Sequence, residues 1–340
     1  MNNRQSRFEL LRVVAILFVV AHHVLLFGAD LCGYLTPWHS DGPHIIGVIL
    51  NSVVVTGVSL FVMISGWFGI QRVLRPMVRL VIECAVFGAF SLGLCLLLYN
   101  ILPIEKADGH WSLIRLYESM KFTNWWFIVH YLLLILCAPL LERFLQGISQ
   151  REHEKVLLCL LVLNCVFGFW WGYVNESGYN VIQFIFLYVI ARYMRLFPSS
   201  IINKVVSRGA WWYIAFCVVM MSSSVFTDKA AYAPGRLPEA WNYNCPLVIL
   251  ESMAIFSLFT RINRPVPCVN RIAPLVLGVY LIQSSPNLIW YRNLLGKTLT
   301  DQLGTAALPL AILLLFVICL ALSAVITIPL NLFFRKIGIK

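Results

Sequence analysis

Apolar residues in this chain fall in long blocks. They show neither the alternation of a half-buried strand nor the narrow stripe of a soluble amphipathic helix. A helix needs roughly 20 mainly apolar residues to cross a bilayer. Ten blocks approach or reach that length: 8–28, 46–70, 78–99, 124–142, 155–172, 179–197, 210–226, 245–260, 273–291 and 305–330. The connections between them are short, with no low-complexity linker and no internal repeat. The pattern predicts an all-α fold, a polytopic transmembrane helix bundle of about ten spans, forming a single domain over residues 1–340. The first block has the basic start and apolar stretch of a signal peptide. Arg12 interrupts it, however, His22 and His23 stand near its end, and no small-x-small cleavage site follows. It is expected to be a retained helix.

Composition and charge sharpen this picture. Only 12% of residues are charged and 60% are hydrophobic, against about a quarter charged in soluble domains; the mean hydropathy is +0.82. The net charge of +11 would suggest a nucleic-acid partner for a soluble protein. Here the basic residues lie between apolar blocks, where they set topology instead, and no nucleic-acid partner is expected. Of the 26 Lys and Arg, 19 fall in one alternating set of loops and helix ends and seven in the other, which holds Lys106, Arg115, Lys121, Lys229, Arg236, Arg292 and Lys297. That alternation fits an even number of spans with both termini in the cytoplasm. Tryptophans such as Trp38, Trp170, Trp211 and Trp290 sit near block ends, as an interfacial aromatic belt would place them. Most of the ten cysteines lie within apolar runs as small hydrophobes. Cys32 and Cys245 fall near the outer face, and the sequence leaves open whether they pair. No Cys/His spacing suggests a metal site.

Ionisable residues inside a membrane are costly and mark candidate sites. Arg12 and His23 are separated by ten residues on the first helix. At about 100° per residue they differ by only about 20° in direction and by roughly 16 Å along the axis, whereas His22 points about 80° away. One face would then carry a fixed charge at one mouth and a titratable base toward the other. A structural alternative pairs Arg12 with Glu9 three residues back and treats His23 as a packed interfacial residue. Glu83 stands four residues after Arg79, at ion-pair spacing. Glu251 has no partner on its own helix, and His130 reads as structural.

The segment from Ser6 to His23, with its Arg, ten residues, then His, resembles the opening helix of the acyltransferase-3 family of integral membrane O-acyltransferases. Ser59–Trp67, closing on Ser65-Gly66-Trp67, is similar to that family's second-helix ending. Arg72, Arg75 and Arg79 resemble its arginine-rich entry to the third helix. Asn124-Trp125-Trp126-Phe127, with Tyr131 and Pro139, resembles its fourth-helix pattern, and Gly278-Val-Tyr280-Leu-Ile282 its late Tyr-Leu-Ile stretch. The family often has His after that stretch; here it is Gln283, which cannot act as a base near neutral pH and is assigned no catalytic role. Some relatives carry an extra esterase-like domain after the membrane part, and none is expected here.

The resemblance implies transfer of an acyl group, most simply acetyl, from acyl-CoA to a hydroxyl of a cell-surface carbohydrate or its lipid-linked precursor. The partners would be the lipid bilayer, acyl-CoA and the carbohydrate acceptor, with acetyl-CoA a donor substrate and no cofactor permanently bound. The expected location is the cell membrane as a multi-pass protein, in the manner of a bacterial inner membrane. His23 would serve as general base or carry a transient acyl group, and Arg12 would orient or neutralise the donor. Arg72, Arg75 and Arg79 would bind donor phosphates, which guanidinium forks suit. Supporting candidates are Ser65, Gly66, Trp125, Trp126, Tyr280, Glu83 and Glu251. Two rivals remain: a transporter or flippase for a lipid-linked sugar or small solute, and a non-catalytic membrane scaffold. The topology has a direct test. Reporter tags in the 100–122 or 227–243 loops should report the outer side and tags at either terminus the cytoplasm; a loop tag and a terminal tag on the same side would mean an odd number of errors in the spans between them.

Overall fold

The computed structural model describes residues 5–36, 39–105, 107–228, 235–263 and 266–338, and the side chain of Glu176 is not described. Arg4, Trp38, Lys106, Lys229, Arg264 and Lys340, which entered the topology reading, lie outside the described residues. The chain is all helical where described. In order the helices are α1 (Ser6–His23), α2 (Gly42–Val54), α3 (Gly57–Phe68), α4 (Leu74–Ile101), α5 (Leu113–Met120), α6 (Trp126–Gly147), α7 (Gln150–Leu161) and α8 (Val181–Leu196). They continue with α9 (Ile201–Arg208), α10 (Ala210–Thr227), α11 (Pro246–Thr260), α12 (Val269–Ile272), α13 (Val276–Gln283), α14 (Ile289–Leu303) and α15 (Leu308–Lys336). Two π-helical segments extend α1 and α7, over Val24–Gly28 and Val162–Trp170. A helix is the form that satisfies every backbone group without water, which a hydrocarbon environment demands.

Eight helices among the described residues are long and apolar enough to cross a membrane, or nine if α8 and α9 form one bent span. The bend between α8 and α9 is 98°. The expected span 46–70 is α2 and α3 together, running as Gly42–Phe68. The expected span 273–291 is interrupted: a shorter apolar helix, Val269–Gln283, ends at a turn before α14 begins. The cause is in the sequence, because Ser284-Ser285-Pro286 follows Gln283 and proline cannot continue the helical hydrogen-bond ladder.

Caps define several helix starts. Asp41 accepts from the His44 N–H at 3.0 Å and Asn180 from Ile182 at 2.8 Å, while Ser149 and Glu152 form a reciprocal capping box. Helix α1 is central, packed against α2, α3, α11, α13 and α15. Its approach to α3 depends on Gly57, where an added Cβ would lie 2.8 Å from the Ala15 carbonyl oxygen. Gly66 plays the same part between α3 and α8: a Cβ there would collide with the Tyr188 backbone. Small residues at helix crossings are the usual route to close packing in membranes. Cys32 and Cys245 are both buried free thiols.

Near the α3–α4 turn, Arg192 and Glu142 form a buried ion pair at 2.7 Å, and Glu142 also accepts from the Tyr188 hydroxyl at 2.7 Å. The Tyr188 oxygen in turn accepts from the Ile70 N–H at 2.9 Å, which fixes the loop entering α4. Arg192→Met should therefore lower stability in detergent by about 3–5 kcal/mol, because it strands a buried carboxylate. Adding Glu142→Gln should recover much of the loss. Thermal unfolding of the single and double variants measures this, and a single variant as stable as the parent would contradict the pairing.

Candidate functional site

Both local ion pairs suggested by spacing are formed. Arg12 binds Glu9 at 2.8 Å and Arg79 binds Glu83 at 3.0 Å, and Arg79 also donates to Asn331 at 2.6 Å. Arg12, Arg79 and Glu83 all line one chamber of about 500 Å³ between α1, α3, α4, α6 and α13. Most of its wall is apolar, including Val19, Val58, Phe87, Phe127 and Leu277, with Ser65, Tyr131 and Tyr280 as polar points. Ser65 and Tyr131 are joined through their hydroxyls at 2.9 Å.

Two further cavities share walls with this chamber. On one side a more open cavity of about 570 Å³ holds Arg72 and Gln71, and Arg79, Leu80, Glu83 and Tyr131 belong to both. On the other side a void of about 20 Å³ is lined by His22, His23, Trp126 and Tyr243, with Val19, Val58 and Tyr280 in common with the chamber. Arg72, Arg79 and Arg12 thus line the first two cavities of the series and the histidines the third. Arg75 is exposed on the first turn of α4 and lines none of these cavities.

The two histidines have separate surroundings. His22 is buried, and its Nδ1 meets Asn51 Oδ1 of α2 at 2.6 Å. His23 turns instead toward the α13–α14 connection, where its Nδ1 lies 2.7 Å from Gln283 Oε1 and 3.3 Å from Arg292 Nη1. Arg292 also donates to the Gln283 carbonyl oxygen at 2.9 Å. Sequence reasoning assigned Gln283 no catalytic role and counted Arg292 only as a loop cation; the fold brings both against His23. The available signal was an arginine flush with the end of an apolar block, nine residues after Gln283 on the cation-poor side.

A glycine contact brings Arg292 to this place. Gly28 and Gly296 face each other, and a Cβ on either would lie 3.1 or 2.9 Å from the other's Cα. The π-helical turn that follows His23 therefore packs backbone to backbone on α14, one turn after Arg292. Single π turns inside helices often mark functional sites.

The supporting candidates separate by position. Trp126 stacks on Tyr243 at 5.6 Å beside the histidines. The buried Trp125 donates to the Leu281 carbonyl at 3.1 Å, tying α6 to α13. Gly66 belongs to the α3–α8 crossing. Glu251 is fully buried on α11 outside these cavities, and its carboxyl oxygens have no hydrogen-bond partner among the described residues. His130 packs against Trp126 and Phe184. A fourth cavity of about 860 Å³ holds Tyr34, Trp171, Tyr179, Arg236 and Glu239. The Tyr179 and Tyr243 rings, 4.9 Å apart, stand between it and the histidine void. Among the described residues no three His, Cys, Asp or Glu side chains form a group able to hold a metal ion.

An all-helical membrane fold with intramembrane arginines and histidines around adjoining cavities defines a class of embedded enzymes or carriers. The family is then settled by comparison: residues 5–328 match the acyltransferase-3 family, described as an acyltransferase domain, and the chain belongs to it. It is a multi-pass membrane acyltransferase. No curated protein and no solved structure matches the chain.

The glycine contact makes a specific prediction. Gly296→Leu should force α14 away from α1, costing about 1–3 kcal/mol through overpacking and removing most activity. Gly93→Leu, at a position open to a Cβ, should change neither. Thermal unfolding with an acyl-transfer assay compares the two, and a fully active Gly296→Leu protein would contradict the role given to the contact.

Proposed function

We propose that this acyltransferase is an O-acyltransferase that moves an acyl group, acetyl in the simplest case, from acyl-CoA to a hydroxyl of a cell-surface carbohydrate or its lipid-linked precursor. The observation that carries this reading is the series of wall-sharing cavities from Arg72 and Arg79, past Arg12, to His23. It suits a donor with anionic phosphates at one end, a thin flexible arm, and a thioester at the other end. Guanidinium forks match phosphate geometry and keep donors to spare when already paired with a carboxylate. The apolar chamber suits the arm. Arg12 and His23, roughly 16 Å apart along one helix, are at a separation a phosphopantetheine arm can bridge.

At the inner end His23 takes the proton of the acceptor hydroxyl as its oxygen attacks the thioester carbonyl carbon. The carbon–sulfur bond then breaks, the departing sulfur receives the proton from the imidazolium, and an ester and free CoA result. Such a base is worth roughly 100- to 10,000-fold in rate. A transient acyl-histidine uses the same side chain and differs in leaving label on the protein when no acceptor is present. The aromatic and polar cavity beyond the Tyr179–Tyr243 rings supports a carbohydrate acceptor, because aromatic faces cover the apolar face of a sugar and Arg236 and Glu239 can bond its hydroxyls. That acceptor agrees with residence in a bacterial inner membrane, with both termini cytoplasmic.

The test uses purified protein in liposomes, labelled acetyl-CoA and a cell-surface glycan fraction. Label should pass to glycan. His23→Ala should abolish transfer at near-normal protein levels, His22→Ala should keep much of it, and Arg12→Lys should be impaired because lysine lacks the planar fork. Arg72→Gln with Arg79→Gln should raise the donor KM more than the glycan KM, and Arg75→Gln should do so less. Equal tolerance of both histidine changes would remove the mechanism, and solute movement without covalent transfer would replace it with transport.

A further inference from the structure

We propose that Gln283 is the positioning residue of His23, fixing its tautomer so that Nε2 holds the free lone pair, and that Arg292 locks Gln283 in place. The inference rests on the reading of His23 as the base. A carboxamide oxygen only accepts. Gln283 Oε1 at 2.7 Å is the nearer of the two groups at His23 Nδ1, Arg292 Nη1 standing at 3.3 Å, and it calls for Nδ1 to carry the hydrogen and donate it. The other ring nitrogen is then the proton acceptor. This is the part that a buried carboxylate plays beside the histidine of a hydrolytic triad, taken here by a neutral amide.

Gln283 is held both at its side-chain amide and at its backbone carbonyl. Its Nε2 donates to Ser284 Oγ at 2.9 Å, which directs Oε1 to the imidazole. Gln283 is 1% exposed and is the last residue of α13. Its carbonyl is one of the orphan acceptors that every helix end leaves, and Arg292 Nη1 satisfies it at 2.9 Å. Arg292 is 5% exposed, and among the described residues no carboxylate lies within ion-pair distance of it. Its charge instead meets the negative end of α13, a favourable place for a cation. Asn293 Oδ1 accepts from its Nε and Nη2 at 3.0 and 2.8 Å, and the Phe27 ring lies beneath it at 5.3 Å. With Nδ1 protonated, the 3.3 Å approach of Arg292 Nη1 to His23 sets two donors side by side. Gln283 is then the group that the ring bonds.

The test reads tautomer and rate separately. In protein labelled with 15N-histidine, the His23 signals are assigned by their loss in His23→Ala. The parent should show the tautomer with hydrogen on Nδ1. Gln283→Leu should turn this into a mixture and lower kcat roughly 10- to 100-fold with the donor KM within about twofold. Gln283→Glu, which keeps an acceptor oxygen, should restore the Nδ1–H signal and most of kcat. Hydrogen on Nε2 in the parent, which needs no variant to observe, would overturn the proposal, as would an unchanged kcat in Gln283→Leu. If the parent transfers no acyl group but shows the Nδ1–H signal and loses it in Gln283→Leu, the functional reading fails and the positioning stands.

Discussion

Hydrocarbon offers a polar side chain no hydrogen bond, so one placed in a membrane bundle must face a cavity or find its partner within the protein. Much of this structure follows from that requirement. Arg12 takes Glu9, Arg79 takes Glu83 and Asn331, Arg192 takes Glu142, and His22 takes Asn51. Arg292 finds no carboxylate among the described residues and takes a helix end instead. Each solution ties two elements together, or holds a charge at a fixed depth on one. The same contacts that stabilise the bundle thereby set where chemistry can occur. Glu251, His153 and Ser59 depart from the pattern, with their side-chain polar atoms buried and unbonded among the described residues.

The second organising fact is how closely helices approach α1. Gly57 lets α3 lie on it, and the Gly28–Gly296 contact brings α14 against its π-helical end. Larger residues would hold these helices apart. A hydrogen bond loses its value within a few tenths of an ångström, so the small side chains at the crossings govern the polar contacts one turn away. Arg292 reaches His23 because two glycines, five residues after His23 and four after Arg292, have no side chain.

The arrangement also divides labour along one helix. Arg12 faces an apolar chamber that shares walls with the cavity of Arg72, whereas His23 lines the small void beside Tyr243 and Trp126. A single straight helix holds the two at constant spacing, while the walls are contributed by α3, α4, α6 and α13. Rigid placement of this kind favours reaction by orientation.

Hydropathy alone determined the class of fold, because runs of apolar residues have few other uses, and most helices lie where the blocks predicted. Arg12 with Glu9 and Arg79 with Glu83 were legible for a similar reason: helix periodicity places residues three and four apart on one face. The separation of His22 from His23 was legible too, as a rotation about the axis. Periodicity carries no information across the chain, and there the reading ran out. The break at Ser284 split an expected span. Arg75, alike in sequence to Arg72 and Arg79, proved exposed and away from the cavities. Gln283 looked like the loss of a basic residue, and Arg292 like a charge in an outer loop. Their meeting with His23 spans 260 and 269 positions of sequence. The packing of α13 on α1 and of α14 on its π-helical end decided it, since a long-range hydrogen bond depends on where whole helices cross and not on any local pattern.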